Sequence, residues 1–158
     1  MKLAIGCDEA AFELKQLLKM HLETLGHSVD DFGTHAPNET VMYCDTAFGV
    51  AEQVAAGVYS RAILLCGTGI GVCIAANKVP GVRAAQAHDT YSATRARKSN
   101  DAQILCLGAR VIGPELARSI VDAWMASEFE GGRSSAKVER IVAYETQDHT
   151  PKQKATSG

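Results

Sequence analysis

Residues 61–78 read RAILLCGTGIGVCIAANK. The apolar run at 62–65 predicts a short buried strand, because a charged residue and a glycine loop bound it on either side. The loop occupies residues 66–71, and the small side chains of 72–78 predict a helix after it. This part of the chain is therefore predicted to be a strand, a glycine loop and the start of a helix.

The glycine loop is suited to binding an anion. Gly67, Gly69 and Gly71 let the backbone turn sharply and direct several N–H groups at one point. The helix that follows adds the positive end of its dipole. Cys66 lies at the carboxyl end of the strand beside these donors, where a helix N-terminus favours a thiolate. We therefore expect Cys66 to act as an acid–base or nucleophilic group.

The same motif has ordinary alternatives. Gly-x-Gly-x-Gly alone is a weak signal, and most buried cysteines are inert core residues. No Gly-Lys-Ser/Thr follows the loop, and the pattern is not the full Gly-x-Gly-x-x-Gly. A nucleotide site is therefore disfavoured, and the spacing by itself does not identify the anion.

Composition narrows the class of protein. The chain has 158 residues, 46% of them hydrophobic and 22% charged, which is typical of a single globular domain. A net charge of -2 and the lack of a dense Lys/Arg block argue against nucleic acid and anionic membranes as partners. We expect a cytoplasmic protein, since no segment resembles a secretion signal or a membrane span. The five cysteines lack Cys-x-x-Cys spacing, which predicts free thiols and no metal site.

Predicted strands and helices alternate along the chain. The strands are predicted at 3–7, 28–32, 62–65, 82–87 and 104–107, and the helices before Gly26 and at 45–56, 72–78, 90–99, 114–126 and 135–144. Such alternation predicts right-handed crossovers and a parallel sheet covered by helices, with ligands bound at the carboxyl ends of the strands. Four polar residues follow predicted strands and meet at that edge: Asp8, Cys66, His88 and Arg110.

Several of these side chains also fit a purely structural role. Asp8 is compatible with a helix cap, Tyr43 with a surface position, and His88 with a polar strand end. The long polar loop at 33–43 is of a kind that often lines a site. The last predicted helix needs cover from a second subunit, and the polar residues 147–158 predict a disordered tail.

The sequence resembles the ribose-5-phosphate isomerase B and galactose-6-phosphate isomerase family. The resemblance lies in Gly6-Cys7-Asp8, CGTGIGVCIAANKVPGVRAA at 66–85, LGARVIG at 107–113 and GGR at 131–133. It covers nearly the whole chain except the tail, and the glycine loop joined to Ala-Ala-Asn-Lys is specific to that family. The resemblance implies an isomerase domain at 1–146 with a three-layer Rossmann-like α/β fold, a five-stranded parallel sheet and a C-terminal helix at a dimer interface. It also implies a homodimer or dimer of dimers with shared active sites, and no metal or organic cofactor.

The resemblance also implies roles for individual residues. Cys66 would move a proton between carbons 1 and 2 of an open-chain sugar phosphate, with Thr68 supporting the thiolate or the substrate. The loop would bind the enediolate oxygen, because preorganised N–H donors stabilise an oxyanion in the transition state. Lys137 stands where the family usually has Arg, which reduces a bidentate phosphate contact to a point charge. The implied phosphate ligands are Arg110, Arg133 and Lys137, and the implied substrate contacts are Asp8, Glu9, Tyr43, Gly67, Gly69, Ile70, Gly71 and His88, with Ser99 and Asn100 from a partner subunit.

Two departures from the family pattern bear on the substrate. Glu9 replaces the histidine of the ribose enzymes, as in one galactose-6-phosphate isomerase subunit, and Ser99 replaces the ring-opening histidine. An unassisted serine hydroxyl is a poor acid or base, but a tetrose phosphorylated on its terminal oxygen cannot close a furanose ring. Together with the run HDTYSA at 88–93, this resembles the branch that interconverts erythrulose 4-phosphate and erythrose 4-phosphate. We therefore expect a tetrose-phosphate aldose–ketose isomerase.

Three other functions stay open from the sequence. A ribose-5-phosphate isomerase B is the main alternative, in which His88 or a water opens the ring in place of Ser99. A phosphosugar-binding module is a second, although binding alone requires no thiol at Cys66. A thiol-redox protein is a third, disfavoured because Cys66 has no partner at Cys-x-x-Cys spacing, although Cys73 is near in sequence.

Overall fold

The protein, described over residues 1–147 in a computed structural model, is built on one five-stranded parallel sheet in the order β2-β1-β3-β5-β4. The strands are β1 (Lys2–Cys7), β2 (Ser28–Asp31), β3 (Ala62–Cys66), β4 (Ala84–Gln86) and β5 (Ile104–Gly108). The helices are α1 (Phe12–Thr24), α2 (Tyr43–Ala55), α3 (Ile70–Ala76), α4 (Thr90–Lys98), α5 (Pro114–Met125) and α6 (Ser135–Glu145), with 3₁₀ turns at Glu9–Ala11 and Gly132–Ser134. The predicted three-layer α/β fold is confirmed, whereas the predicted tail lies outside the described residues except for Gln147.

Side-chain alternation along the strands divides the core into two layers. In β3, Ile63 and Leu65 face the layer of α1, α4 and α5, whereas Leu64 and Cys66 face the layer of α2 and α3. Every residue of β3 is buried, as expected of a central parallel strand covered on both faces. The thiol of Cys66 is therefore directed to the side of the sheet on which α2 and α3 begin.

Several predicted boundaries and one predicted core residue differ from the structure. α3 begins at Ile70 rather than at 72, and β4 spans three residues rather than 82–87. The helical periodicity of 114–126 predicts that Leu116 lies on the buried stripe with Ile120, Val121 and Trp124, but Leu116 is 43% exposed and Ala117 is buried instead. Successive helical residues are rotated by about 100°, which puts Ala117 in line with Trp124 and Leu116 at the margin of the stripe.

A buried lysine ties the carboxyl end of β1 to the loop after β2. Lys15, on the inner face of α1, is fully buried and pairs with Asp31 Oδ1 at 2.6 Å. Its ammonium also donates to the Thr34 carbonyl. Thr34 in turn donates its N–H to the Cys7 carbonyl at 2.8 Å. These contacts fix the point at which the chain leaves β1 for Asp8.

A buried arginine closes the opposite end of the sheet. Arg61, just before β3, is 1% exposed, and its guanidinium donates to the carbonyls of Trp124 at 3.0 Å, Met125 at 2.7 Å and Ser127 at 2.7 Å. It also pairs with Glu128 at 2.6 Å. The last carbonyls of a helix have no partner within the helix, so Arg61 satisfies the end of α5 from the core.

Within residues 1–147, no helix combines the length and the apolarity needed to cross a bilayer.

We predict that Arg61→Met lowers the free energy of unfolding by about 2–4 kcal/mol, because three carbonyls lose a buried charged donor. Urea denaturation followed by circular dichroism measures the change. Arg118→Met is the matched control, since Arg118 makes an exposed pair with Glu115 that is worth less than about 1 kcal/mol. Equal losses in the two variants would contradict the role assigned to Arg61.

Candidate active site

An open cleft of about 400 Å³ lies at the carboxyl edge of the sheet, on the side of α2 and α3. Cys66, the last residue of β3, is 5% exposed and still reaches the cleft wall. Seven residues proposed from the sequence line this cleft together with Ile74: Asp8, Tyr43, Cys66, Gly67, Thr68, Ile70 and Gly71. Ile74 was missed by the sequence analysis, although it lies one helical turn after Ile70 and thus on the same face of α3.

The thiol of Cys66 lies within hydrogen-bonding distance of the glycine loop. Gly69 donates its N–H to Cys66 Sγ at 3.1 Å, and Ile70 donates its N–H to Thr68 Oγ1 at 3.3 Å. The Cys66 sulfur therefore accepts a hydrogen bond from the backbone of the loop. Cys66 is thus buried like an ordinary core cysteine. Unlike an inert core cysteine, it accepts a hydrogen bond from the loop and reaches the wall of a cleft.

Two glycines allow this close geometry. Gly69 has φ +74°, in the left-handed region, and a Cβ there would lie 2.8 Å from the Leu107 carbonyl carbon in β5. A Cβ on Gly71 would lie 2.6 Å from the ring of Tyr43, so this tyrosine packs directly on the start of α3. The loop is therefore held between the end of β5 and the first residue of α2.

Arg110 and Asp8 place a cation and an acid near the cleft. Arg110 donates its N–H to the Gly67 carbonyl at 3.0 Å, and its guanidinium Nη1 lies 3.5 Å from where a Gly67 Cβ would be. Asp8 caps the 3₁₀ turn after β1, accepting the Ala10 N–H at 3.1 Å. Burial, and then Glu9, raise the pKa of Asp8, whereas Arg110 opposes the shift. Asp8 therefore has both the capping role and the cleft position expected for it.

Three predicted contacts near the loop do not line the cleft: Gly69, whose N–H is bonded to the Cys66 sulfur, Glu9 and His88. Glu9 is exposed in the 3₁₀ turn. His88, directly after β4, accepts the Gly108 N–H at Nε2 with an N···N distance of 2.9 Å. Burial lowers the pKa of His88, so its neutral form prevails near neutral pH. The ring nitrogen that faces β5 is thus already engaged.

The remaining predicted residues lie at the opposite, amino edge of the sheet. Ser99 is the C-cap residue of α4, and its hydroxyl accepts a hydrogen bond from Arg95. The carbonyl of Asn100 accepts from the Arg83 side chain at 3.1 Å, next to the start of β4. Strands advance by about 3.3 Å per residue, so the five residues of β5 separate this edge from Cys66 by roughly 15 Å.

The segment of Arg133 and Lys137 is at the same amino edge. Just before it, Glu130 donates its N–H to the Lys98 carbonyl at 3.1 Å, and at the far end of α6 Glu145 accepts the Gly81 N–H at 2.9 Å. The side chains of Arg133 and Lys137 are exposed. Within one chain, the structure therefore brings Arg110 to the glycine loop but not Arg133 or Lys137.

The five cysteines are free thiols. Cys73, the suggested redox partner of Cys66, instead donates to the Ala84 carbonyl at 3.5 Å. A hydrogen bond from the Cys106 thiol lowers the pKa of Cys73 to about 7. Among residues 1–147, no group of three or more His, Cys, Asp or Glu side chains is arranged to hold a metal ion.

Comparisons with known proteins match almost the whole chain. The Ribose/Galactose Isomerase family matches residues 3–141. The D-erythrulose-4-phosphate isomerase of Pectobacterium atrosepticum is 54% identical over 148 residues, 94% of this chain and 97% of the relative. The Ribose-5-P isomerase B of Listeria innocua is 56% identical over 139 residues, 88% and 93% of the two chains.

Solved structures agree with the fold. Ribose-5-Phosphate Isomerase B of Clostridium thermocellum superposes with a TM-score of 0.89 at 48% identity, covering 92% of this chain and 97% of that one. The Mycoplasma genitalium Ribose-5-phosphate Isomerase B, solved with bound Ribulose-5-phosphate, has a TM-score of 0.88 at 37% identity, with 92% and 97% coverage. Both similarities span the strands that carry the cleft.

We predict that Gly69→Ala destabilises the protein by about 2–4 kcal/mol, since it adds a left-handed strain of about 1–2 kcal/mol to a clash with the backbone of β5. Urea denaturation provides the measurement. Gly26→Ala, with φ +87° and no neighbour within 4 Å, should show the strain alone. Gly49→Ala, inside α2 with open space around it, should stabilise by up to about 1 kcal/mol. Equal losses at Gly69 and Gly26 would rule out the clash.

Proposed function

The chain belongs to the ribose/galactose isomerase family, and we propose that it interconverts erythrulose 4-phosphate and erythrose 4-phosphate by proton transfer at Cys66. The observation that carries the proposal is the Gly69 N–H donating to the Cys66 sulfur at 3.1 Å at the wall of the cleft. In this proposal Cys66 is the base, held by the Gly69 N–H, and other N–H groups of the glycine loop are the donors for an oxyanion. The isomerase names of the relatives support an enzyme rather than a phosphosugar-binding module.

The proposed reaction is an isomerisation, so the substrate and the product contain the same atoms. The Cys66 thiolate removes a proton from carbon 1, which lies beside the ketose carbonyl at carbon 2. This gives an enediolate and a neutral thiol. The thiol then returns the proton to carbon 2. The hydroxyl proton on the oxygen of carbon 1 moves to the oxygen of carbon 2, which gives the aldose. The glycine loop stabilises the charge on the enediolate oxygen, with Thr68 supporting the thiolate or the substrate.

Arg110 is the proposed phosphate ligand within the same chain. Its guanidinium lies over Gly67 at the rim of the cleft, within reach of a group bound there. Guanidinium groups match phosphate oxygens bidentately. Asp8 and Tyr43, which also line the cleft, are the proposed contacts to the sugar hydroxyls, and Glu9 is a proposed contact from the adjacent turn.

A second copy of the chain is proposed to complete the site. Apolar side chains beside the cleft are exposed, among them Tyr43 at 42%, Ile70 at 52% and Ile74 at 58%. Such a patch favours an interface between proteins. Ser99, Asn100, Arg133 and Lys137 lie too far from Cys66 to act within one chain, so we propose that they act on the partner's cleft in a homodimer or dimer of dimers.

The tetrose substrate is supported by the contacts of Ser99 and His88, the two residues considered from the sequence as ring-opening acids. The Ser99 hydroxyl accepts from Arg95, and His88 uses its Nε2 on Gly108. A tetrose 4-phosphate arrives linear and needs no such acid. Ribose 5-phosphate is the second candidate, favoured by the identity of 56% to the Listeria innocua enzyme. We also propose that residues 1–146 are one isomerase domain and that the protein works in the cytoplasm.

We predict that Cys66→Ser abolishes both isomerisation and exchange of substrate hydrogen with solvent, a loss of about 10²–10⁴-fold or more, because a hydroxyl replaces the base. Deuterium incorporation followed by NMR measures the exchange, and calorimetry with inorganic phosphate measures anion affinity, which should change little. Cys73→Ser is the control and should retain exchange, because the Cys73 thiol donates to the Ala84 carbonyl and does not line the cleft. Exchange that persists in Cys66→Ser would refute the proposed base.

We predict that the wild type has the higher kcat/KM on erythrulose 4-phosphate, and that Ser99→His raises kcat/KM on ribose 5-phosphate by about tenfold or more through general acid catalysis. Ser99→Gln, of similar size but without an acid, should bring no such gain. Steady-state assays on both substrates measure the difference. High efficiency of the wild type on ribose 5-phosphate, with little on erythrulose 4-phosphate, would refute the tetrose proposal.

A further inference from the structure

His88 makes one hydrogen bond whose direction is unambiguous. A backbone N–H only donates, so Nε2, which lies 2.9 Å from the Gly108 nitrogen, carries no proton. The neutral ring must then hold its proton on Nδ1. The neighbouring Asp89 carboxylate is engaged elsewhere, accepting from the Ser92 N–H and hydroxyl at 2.7 Å each. The side chain is half-buried and does not line the cleft.

The partner of His88 supports the glycine loop directly. Gly108 ends β5 and pairs with Cys66 in the sheet register. A Cβ on Gly108 would lie 2.6 Å from the Thr68 carbonyl carbon, so the two backbones are in contact. The Thr68 carbonyl also accepts from Gln86 Nε2 at 2.7 Å, and Gln86 is the last residue of β4. The ends of β4 and β5 therefore form the surface on which the loop rests.

We propose that His88 is a positioning residue: by accepting the Gly108 N–H, it fixes the end of β5 against which Thr68 packs, and so keeps the loop donors aligned with the Cys66 sulfur. In this role His88 does not exchange a proton with the substrate. The inference deepens the proposed isomerase function and differs from the alternative in which His88 opens a sugar ring.

The charges around His88 are compatible with an acceptor that stays neutral. Burial lowers its pKa, and Asp89, on its own segment, acts in the opposite direction. β5 presents the Gly108 N–H to it, and the charged side chain of the following turn, Arg110, lies over Gly67 instead. Because the folded state disfavours protonation, stability from this group is present above the ordinary pKa of about 6.5 and is lost as the pH falls below it.

Two substitutions separate positioning from proton transfer. Glutamine carries its amide oxygen the same number of bonds from Cα as Nε2, so His88→Gln retains an acceptor that does not titrate. His88→Leu leaves the Gly108 N–H without a partner. We expect kcat to fall about 10–100-fold in His88→Leu, with a smaller change in KM, because the loop donors shift relative to the thiolate. His88→Gln should stay within about threefold of the wild type at neutral pH.

The control is His21→Leu, because His21 is also half-buried and hydrogen-bonded, to Asp122 at 2.6 Å, but lies on α1 away from the cleft. It should leave kcat unchanged. If His88→Gln loses as much kcat as His88→Leu, His88 transfers a proton and the positioning role is overturned. If His88→Leu retains wild-type kcat, the contact does not matter for the loop, which also overturns the proposal.

A readout without substrate tests the contact itself. Long-range ¹H–¹⁵N NMR of the wild type at neutral pH should show His88 as the Nδ1–H tautomer, and the Gly108 amide resonance should shift in His88→Leu more than in His88→Gln. A charged ring or an Nε2–H tautomer would overturn the inference whatever the activity. The kinetic comparison is made on whichever of the two sugar phosphates the wild type isomerises, so failure of the tetrose proposal and failure of the His88 proposal are told apart.

Discussion

The hydrogen bond from the Gly69 N–H to the Cys66 sulfur is the contact on which the rest of the site depends. It requires a left-handed residue at the turn and a backbone close enough to β5 to exclude any side chain at that position. The donor is thereby fixed relative to the thiol before any ligand arrives. An electrostatic contact of this kind contributes most when it needs no reorganisation during the reaction.

The two ends of the sheet are held by different means. At the amino edge, Arg61 satisfies the carbonyls at the end of α5 from within the core. At the carboxyl edge, Lys15 anchors the loop beside β1, and the glycine loop rests on β5. The cleft between these elements is open, and its wall carries exposed apolar side chains.

Within one chain, the cations predicted to bind phosphate are divided between the two edges of the sheet. The thiol, the loop donors and Arg110 are together, whereas Arg133 and Lys137 are at the other end of the strands. If a second copy supplies these cations, substrate affinity and assembly become linked, because a sugar phosphate that bridges two chains stabilises their association. For the proposed tetrose substrate, the engagement of Ser99 with Arg95 and of His88 with Gly108 carries no cost, because a linear sugar needs no ring-opening acid.

The sequence by itself determined the alternation of strands and helices, the parallel sheet, and the cluster of Asp8, Cys66 and the glycine loop at one edge. These follow from local periodicity and from the rule that parallel strands end together, so no knowledge of distant contacts was needed. The tertiary structure decided what periodicity does not encode. It set the burial of Lys15, the exposure of Leu116, the hydrogen bond between His88 and Gly108, and the distance of Arg133 from the thiol. Each of these depends on residues far apart in the chain, whose positions are fixed only when the helices pack on the sheet.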